Sequence, residues 1–259
     1  MNKMTLNFDF FNQWVEQKLG IQLDAYKERQ MQRRIGNIMQ TTGVTTLEAY
    51  AKLLEKDPQA RQNFLSHITI NVTEFYRNKE LFAAFEKHIL RKSQEVNAMK
   101  IWSAACSIGS EPYTLAMILN NNNINQAKIV ATDIDENCLA RGRAGLYKAN
   151  EIKNIPTQEL KKHFTIIDEN YQAQSHLKQR IQFKKHDLLV DSYEKKCDVI
   201  VCRNVTIYFK NEARDAVYQK FSDVLEPGGI LFTGATETIN FSERFGLEKI
   251  DSFIYRKIE

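Results

Sequence analysis

Apolar residues recur at helical spacing through the first part of the chain, and breaks separate four such stretches. Their apolar stripes are Phe11, Trp14, Val15 and Leu19; Met31, Ile35, Ile38 and Met39; Leu47, Tyr50, Leu53 and Leu54; and Phe64, Leu65 and Ile68. Asp24 is a candidate cap for the second helix. The pattern predicts an all-helical domain over residues 1–79.

The pattern changes after Lys100, where short apolar runs alternate with helical stretches. The run Cys197–Cys202 is almost entirely apolar, as in a central parallel strand. Residues 247–249 and 253–256 predict a closing antiparallel hairpin, and residues 156–180 interrupt the alternation as an insertion. The second domain, residues 80–259, is therefore predicted to be α/β, with a mostly parallel, Rossmann-like sheet covered by helices on both faces.

Composition changes this picture little. The 259 residues are 43% hydrophobic and 26% charged, with a formal net charge of +4, as in an ordinary globular protein. No apolar run approaches the roughly 20 residues that span a bilayer, and the N-terminus does not resemble a signal peptide. The four cysteines lack metal-type spacing and indicate reduced, buried thiols in a cytoplasmic protein. The five histidines also lack ligand spacing, so we expect no metal.

The segment from Lys100 to Met117 is the most informative in the chain. It predicts a buried strand, a turn of small residues and a helix start, which is how an open α/β sheet builds a nucleotide-type site. Glu111 follows Gly109 closely, and a pyrophosphate would be repelled by a carboxylate at a helix N-terminus. S-adenosylmethionine carries a sulfonium and no phosphate, so it suits this position. Alternatively, Glu111 only interacts favourably with the helix dipole.

Other polar residues follow predicted strands and should meet at the same edge of the sheet. Asp133 could accept both ribose hydroxyls of an adenosine, whereas Asp135 is better explained as a helix cap. Asp187 and Leu188 could contact an adenine, although loops favour Asp in any case. The candidates after the strand Cys197–Cys202 are Arg203, Asn204 and Tyr208. Alternatively, Asn204 is only a turn residue and Tyr208 only a core aromatic residue.

Two further segments carry polar candidates. Asn71, Thr73 and Arg77 alternate with apolar residues in a segment that could close a cleft or could simply be a helix cap and linker. On the second helix, Lys27, Arg33 and Arg34 form a basic side. Such charges are usually solvated surface, but they could also dock an acidic partner helix.

Together these segments resemble the bacterial chemotaxis receptor glutamate O-methyltransferases of the CheR type. The likeness runs over nearly the whole chain, to Arg256. It rests on four motifs in a specific order and spacing: Asn71–Arg77, Trp102–Gly109 with Glu111–Tyr113, Asp133–Asp135, and Cys202–Phe209.

The resemblance implies a helical receptor-docking domain joined to a class I methyltransferase domain, and the methylation of receptor glutamates to methyl esters with S-adenosylhomocysteine as product. The implied cofactor contacts are Asn71, Thr73, Arg77, Gly109, Glu111, Asp133, Asp187, Leu188, Arg203 and Asn204. The implied catalytic residues, Arg77 and Tyr208, would lie near the methyl group and the substrate carboxylate. Lys27, Arg33 and Arg34 would face the receptor's helical bundle.

Two departures from the family pattern matter. Ser110 stands where members usually carry a second acidic residue, which softens the negative field near the sulfonium. The stretch between Phe164 and Phe183 lacks the glycine-rich loop of members that grip a receptor tail. We therefore expect no C-terminal peptide tether, and a monomer that recognises the bundle directly, without nucleic acid or membrane insertion.

Two rival functions remain at this stage. The first is a methyltransferase for nucleic acid or a small molecule, but Asn204 is followed by Val205 and Thr206, without the prolines of amino-methylating enzymes. The second rival is a non-catalytic scaffold that binds cofactor and receptor.

Overall fold

The computed structural model describes residues 6–258 and divides into two units. The helical unit contains the chain up to Ile70 together with a return segment, Tyr208–Asp215. The sheet unit contains Asn71–Ile207 and Ala216–Glu259. The division thus falls at Ile70, nine residues before the predicted boundary at residue 79, and the return segment comes from the predicted second domain.

The helical unit is formed by the four helices that the sequence predicts. They are α1 (Phe8–Leu19), α2 (Glu28–Thr42), α3 (Leu47–Lys56) and α4 (Pro58–Thr69). Its core is aromatic: the Phe11 ring lies 5.8 Å from that of Tyr50 and 5.9 Å from that of Phe64. The predicted cap of α2 was wrong. Lys27 is the N-cap residue, and Asp24 lies in a short 3₁₀ turn and accepts from the Asn12 amide.

The return segment pairs with the chain just before α2. The Lys27 amide donates to the Tyr208 carbonyl at 2.9 Å, and the Lys210 amide donates to the Ala25 carbonyl at 2.8 Å. The rings of Tyr26 and Phe209 meet edge to face, with centroids 5.1 Å apart. This pairing explains why a stretch so distant in sequence belongs to the helical unit.

The sheet unit alternates strands and helices as predicted. Its helices are α5 (Lys79–Glu95), α6 (Ser110–Asn121), α7 (Glu136–Ala144), α8 (Thr157–His163), α9 (Ser175–Lys178) and α10 (Asn211–Val224), the last beginning in the return segment. Its strands are β1 (Met99–Ala104), β2 (Ala127–Asp133), β3 (Leu146–Lys148), β4 (Phe164–Ile167), β5 (Asn170–Ala173), β6 (Ile181–Lys185), β7 (Cys197–Cys202), β8 (Leu225–Thr233), β9 (Leu247–Asp251) and β10 (Ile254–Lys257).

Seven strands form the main sheet, in the order β6-β2-β1-β7-β8-β10-β9. The pairings from β6 to β8 are parallel, and β10 is antiparallel to both β8 and β9. All six residues of β7 are buried, which explains why every residue of the strand except Asp198 is apolar. The predicted Rossmann-like sheet with a closing hairpin is confirmed, and the carboxyl ends of β6, β2, β1, β7 and β8 meet at one edge.

A small antiparallel sheet, ordered β3-β5-β4, is inserted into this unit, as predicted, although it begins earlier, at Leu146. The four cysteines are buried and form no disulfide. Within residues 6–258, no helix is long and apolar enough to cross a membrane.

Candidate functional site

The loop after β1 has an unusual backbone. Ala105, Ser107 and Gly109 all take positive φ, at 67°, 50° and 93°. This conformation costs roughly 1–2 kcal/mol for a residue with a side chain, and such costs concentrate at functional sites. Gly109 is the N-cap of α6, and an added Cβ would lie 3.2 Å from the Gly142 Cα. The predicted turn of small residues therefore requires glycine at this point.

Asp133, at the carboxyl end of β2, anchors this loop. Its carboxylate accepts from the Ser107 amide at 2.7 Å and from the Asp135 amide at 3.0 Å. The side chain is only 6% exposed, and this burial raises the pKa of Asp133 to about 6 despite both bonds. A carboxylate has about four lone-pair sites, so Asp133 retains the capacity to accept from a ligand.

Glu111 lies in the first turn of α6, where its carboxylate accepts a hydrogen bond from the Ser103 hydroxyl at 2.8 Å. Burial raises the pKa of Glu111 to about 7, while the charge of Arg203 acts in the opposite direction. A carboxylate held this way gains from a cationic ligand, because the ligand's charge offsets the cost of burying the anion. The simpler alternative, that Glu111 only favours the helix dipole, does not account for the bond to Ser103.

Arg203 extends from the end of β7 and is 6% exposed. Its Nη2 atom donates at 2.9 Å both to the Arg77 carbonyl and to the Asn78 Oδ1 atom. Its guanidinium lies 4.9 Å from the Phe82 ring centroid and 4.8 Å from that of Phe232. Arg203 therefore holds the end of the 71–77 segment, which makes it a structural residue as well as a candidate cofactor contact.

The start of the 71–77 segment is held separately. The side-chain amide of Asn71 donates to the Asp135 carboxylate at 2.9 Å, and the backbone carbonyl of Asn71 accepts from the Ser107 hydroxyl at 3.2 Å. Asp135 also caps α7 by accepting from the Asn137 amide, as predicted. Within the segment, Thr73 is half-buried and Arg77 donates to the Val72 carbonyl at 2.9 Å. The segment is thus fastened at both ends to loops at the carboxyl edge.

Asp187 and Leu188 follow β6 at the same edge. Asp187 accepts from the Leu189 amide at 2.8 Å, and its own amide donates to Asp191, so it organises a tight turn. Burial raises the pKa of Asp187. Leu188 is 6% exposed, and the amide of the preceding His186 donates to the Asp133 carbonyl. This bond sets the loop after β6 beside the end of β2.

The remaining candidates lie in the helical unit. Tyr208 opens the return segment, and the Arg34 guanidinium lies 4.6 Å from its ring centroid. Arg34 is half-buried and donates to the Ile68 carbonyl at 2.7 Å, whereas Lys27 and Arg33 are exposed. The basic side of α2 thus contains two solvent-facing cations, and its third cation is used within the unit.

Three residues of the site were not among the sequence candidates: Ser103, Asn78 and Glu237. Glu237 follows β8 in the turn Gly234–Glu237 and is 4% exposed. Its carboxylate accepts from the amides of Asn204 at 2.5 Å, Gly234 at 2.8 Å and Val205 at 3.0 Å. Asp133 is the last residue of its strand, whereas Glu237 lies four residues after β8 in a turn, where acidic residues are common, so the sequence signal for Glu237 was weaker.

The site retains unused hydrogen-bonding atoms. Among residues 6–258, five buried side-chain atoms have no hydrogen-bond partner, and three of them belong to this site: Arg203 Nε, Asn204 Oδ1 and Ser110 Oγ. Buried polar groups are rarely left unpaired, so they indicate a ligand with both donors and acceptors. A ligand with amino, carboxylate and ribose groups fits these atoms together with the carboxylates of Asp133 and Glu111. The residues present therefore fit S-adenosylmethionine.

Comparison with known proteins agrees with this chemistry. Residues 71–254 match the CheR methyltransferase, SAM binding domain, and residues 6–69 match the CheR methyltransferase, all-alpha domain. The chain is 39% identical to the chemotaxis protein methyltransferase of Listeria monocytogenes, over 96% of both chains. It is 31% identical to that of Escherichia coli, over 92% of this chain and 86% of the relative. The chain is therefore a methyltransferase that uses S-adenosylmethionine, and it belongs to the CheR methyltransferase family.

Proposed function

We propose that the protein methylates glutamate side chains on bacterial chemoreceptors and forms methyl esters, as part of sensory adaptation in the cytoplasm. The observation that carries the proposal is the pair of buried carboxylates, Asp133 and Glu111, at the carboxyl edge of a Rossmann-like sheet. The pKa of each is raised above its ordinary value, mainly by burial. The names of the relatives in Listeria and Escherichia coli support the link to chemotaxis.

The cofactor would be held by groups from several loops. Asp133 is assigned the ribose hydroxyls, Asp187 and Leu188 the adenine, and Glu111 the positively charged part. The other assigned contacts are Asn71, Thr73, Arg77, Gly109, Arg203 and Asn204. When bound, S-adenosylmethionine supplies a methyl group on a positively charged sulfur and is converted to S-adenosylhomocysteine.

The chain's own task is to orient an incoming carboxylate. A glutamate with an ordinary pKa of about 4.3 is ionised at neutral pH, so no residue has to remove a proton. Positioning alone can supply on the order of 7–11 kcal/mol of a reaction barrier. We assign this positioning to the Arg77 guanidinium and the Tyr208 hydroxyl. Their hold on the carboxylate must be moderate, because its charge disappears in the transition state.

The partner would be the cytoplasmic helical bundle of a receptor. Lys27 and Arg33 are exposed on α2 and suit an acidic helix surface. Arg34 is also assigned to this surface, although its guanidinium already contacts Ile68 and Tyr208. The turn between β4 and β5 spans only Asp168 and Glu169, which supports recognition without a receptor-tail tether. We propose that the monomer is the working form.

The test is methyl transfer from labelled S-adenosylmethionine to a receptor bundle fragment. We expect the label to be found in glutamate methyl esters, from which alkali releases it as methanol. Receptor fragments with the methylated glutamates replaced by alanine should accept none. Asp133→Ala should bind cofactor at least about 100-fold more weakly, since it loses two charge-assisted hydrogen bonds of roughly 1.5–3 kcal/mol each.

Three outcomes would contradict the proposal. Label in DNA, RNA or a small molecule in place of receptor would favour another methyl acceptor. Tight binding of cofactor and receptor without any transfer would favour a scaffold. Unchanged cofactor affinity in Asp133→Ala would remove the ribose contact.

A further inference from the structure

We infer that Glu237 is a positioning residue of the cofactor site, which holds the loop carrying Arg203 and Asn204 in the shape that binds cofactor. The inference rests on the proposed function in one respect: it assumes that Arg203 and Asn204 contact the cofactor. Glu237 would act through the loop and would not touch the reacting atoms.

Five hydrogen-bond donors converge on this one carboxylate. Besides the amides of Asn204, Val205 and Gly234, the Thr206 hydroxyl donates to it at 2.8 Å and the Ile207 amide at 3.3 Å. An ionised carboxylate has about four lone-pair sites and no donor, so it suits a set of partners that are all donors. Charge-assisted bonds of this kind are roughly twice as strong as neutral ones.

Glu237 is itself held firmly. Its amide donates to the Gly234 carbonyl at 2.9 Å, and its carbonyl accepts from the Thr233 hydroxyl at 2.9 Å. A Cβ added to Gly234 would lie 2.8 Å from the Asn204 amide nitrogen, so the two loops approach closely enough to require glycine there. The end of β8 is thus a rigid support for the loop after β7.

The supported loop has a strained backbone. Asn204 has a φ of +62°, in the left-handed region, and the bond from its amide to Glu237 is 2.5 Å long. Glu237 holds the backbone amides of Asn204 and Val205, whereas the Asn204 Oδ1 atom makes no hydrogen bond within the part of the chain that the structure describes. Two buried atoms of this loop, Asn204 Oδ1 and Arg203 Nε, have no partner among residues 6–258. A loop held by Glu237 would present both atoms to a ligand.

The test compares Glu237→Gln with a matched control, Asp198→Asn. The glutamine keeps the shape but places an NH₂ group against backbone donors. Asp198 is also buried, at 8% exposure, and accepts from the Lys100 amide at 2.8 Å, but it lies at the opposite end of β7. Both variants replace a buried carboxylate by its amide. A difference between them therefore reports where the lost charge was located, and not merely that a buried charge was lost.

We expect Glu237→Gln to bind S-adenosylhomocysteine at least tenfold more weakly by calorimetry, and Asp198→Asn to bind within twofold of the parent. In methyl transfer, the KM for S-adenosylmethionine should rise more than kcat falls. Glu237→Asp keeps the charge but is one methylene shorter, so its affinity should be intermediate.

Several outcomes would overturn the inference. One is normal cofactor affinity in a folded Glu237→Gln protein. Another is a loss of cofactor affinity that is proportional to the loss of thermal stability in both Glu237→Gln and Asp198→Asn. If Glu237→Gln does not fold, Glu237→Asp decides, since a folded protein with normal affinity contradicts the inference and weaker binding supports it. Failure of the parent protein to bind S-adenosylhomocysteine would instead contradict the proposed function.

Discussion

The side-chain amide of Asn71 donates a hydrogen bond to the Asp135 carboxylate at 2.9 Å, which ties the start of the 71–77 segment to the cap of α7. Asp135 is fully buried. Asn71→Ala should therefore lower the free energy of unfolding by about 1–2 kcal/mol, because it removes a partner from a buried charged acceptor. It should also weaken cofactor binding, since only the bond from the Ser107 hydroxyl to the carbonyl of residue 71 would still hold the start of the segment.

Denaturant unfolding and calorimetric titration would measure both effects. Val72→Ala is the control, because the Val72 side chain is 68% exposed and its carbonyl would still accept from Arg77. Equal affinities in the two variants would mean that the fastening does not matter for the cofactor.

Cofactor affinity should depend on pH. In the free protein the pKa of Glu111 is raised to about 7, chiefly by burial, and that of Asp133 to about 6 for the same reason. A cationic ligand favours the ionised form of Glu111, so binding below pH 7 first has to remove its proton. Affinity for S-adenosylmethionine should therefore approach its maximum near pH 8 and be roughly tenfold weaker at pH 6 than at pH 8.

Calorimetry in buffers of different ionisation enthalpy should detect proton release on binding near pH 6.5. Glu111→Gln should bind weakly and lose most of the pH dependence, while retaining the smaller contribution of Asp133. A flat affinity profile in the parent protein would argue against contact between Glu111 and a positive charge.

Arg77→Ala and Tyr208→Phe should reduce turnover by about 10- to 100-fold, because a poorly oriented nucleophile loses much of the gain from positioning. Affinity for S-adenosylhomocysteine should fall much less. Tyr208→Phe is the cleaner variant, since it keeps the ring that lies against Arg34. Single-turnover rates at saturating cofactor would measure the effect, and near-normal rates in both variants would refute the assigned roles.

The cations of α2 should separate into two classes. Replacing Lys27 and Arg33 together by glutamate should raise the KM for receptor roughly tenfold and reverse its dependence on salt, without changing cofactor affinity. Arg34→Ala should instead lower the free energy of unfolding by about 1–2 kcal/mol, because the Ile68 carbonyl loses a charged donor at 2.7 Å. If the double variant methylates receptor normally, docking uses another surface.

Two glycines should respond to alanine with opposite signs. Gly109→Ala forces a side chain into a φ of +93° and against Tyr147 Oη at 3.0 Å, so we expect a loss of about 1–3 kcal/mol of stability. Gly36 lies inside α2 with nothing within 4 Å of an added Cβ, and alanine there should add about 0.5–1 kcal/mol. Chemical denaturation would measure both, and a stable Gly109→Ala protein would contradict the steric argument.

The sequence was a good guide wherever one residue followed a clear strand. Asp133 and Glu111 could be placed at the carboxyl edge because parallel strands end on the same side of a sheet and the loops that follow them meet there. Their contacts with the cofactor stay predictions. Arg34 shows the limit: helical spacing places it on the basic side of α2, but only the structure reveals the Ile68 carbonyl that it contacts. Spacing defines a helix face, not the length and direction of a side chain.

Residues that act across long sequence separations were harder to predict. Glu237 resembles an ordinary turn residue, and nothing near it in the chain indicates that its partners lie about 30 positions earlier. The pairing of the return segment with residues 25–27 was missed for the same reason, since isolated bridges leave no periodic pattern.

The late position of Glu237 has a consequence for biosynthesis. Arg203 and Asn204 leave the ribosome well before the carboxylate that fixes their loop, and β8 must also be made and paired before that carboxylate is in place. A nascent or truncated chain that ends before β8 can contain every assigned cofactor contact and still lack the shaped edge of the sheet. In this proposal, full affinity for the methyl donor is therefore acquired only after β8 and the turn Gly234–Glu237 have been translated.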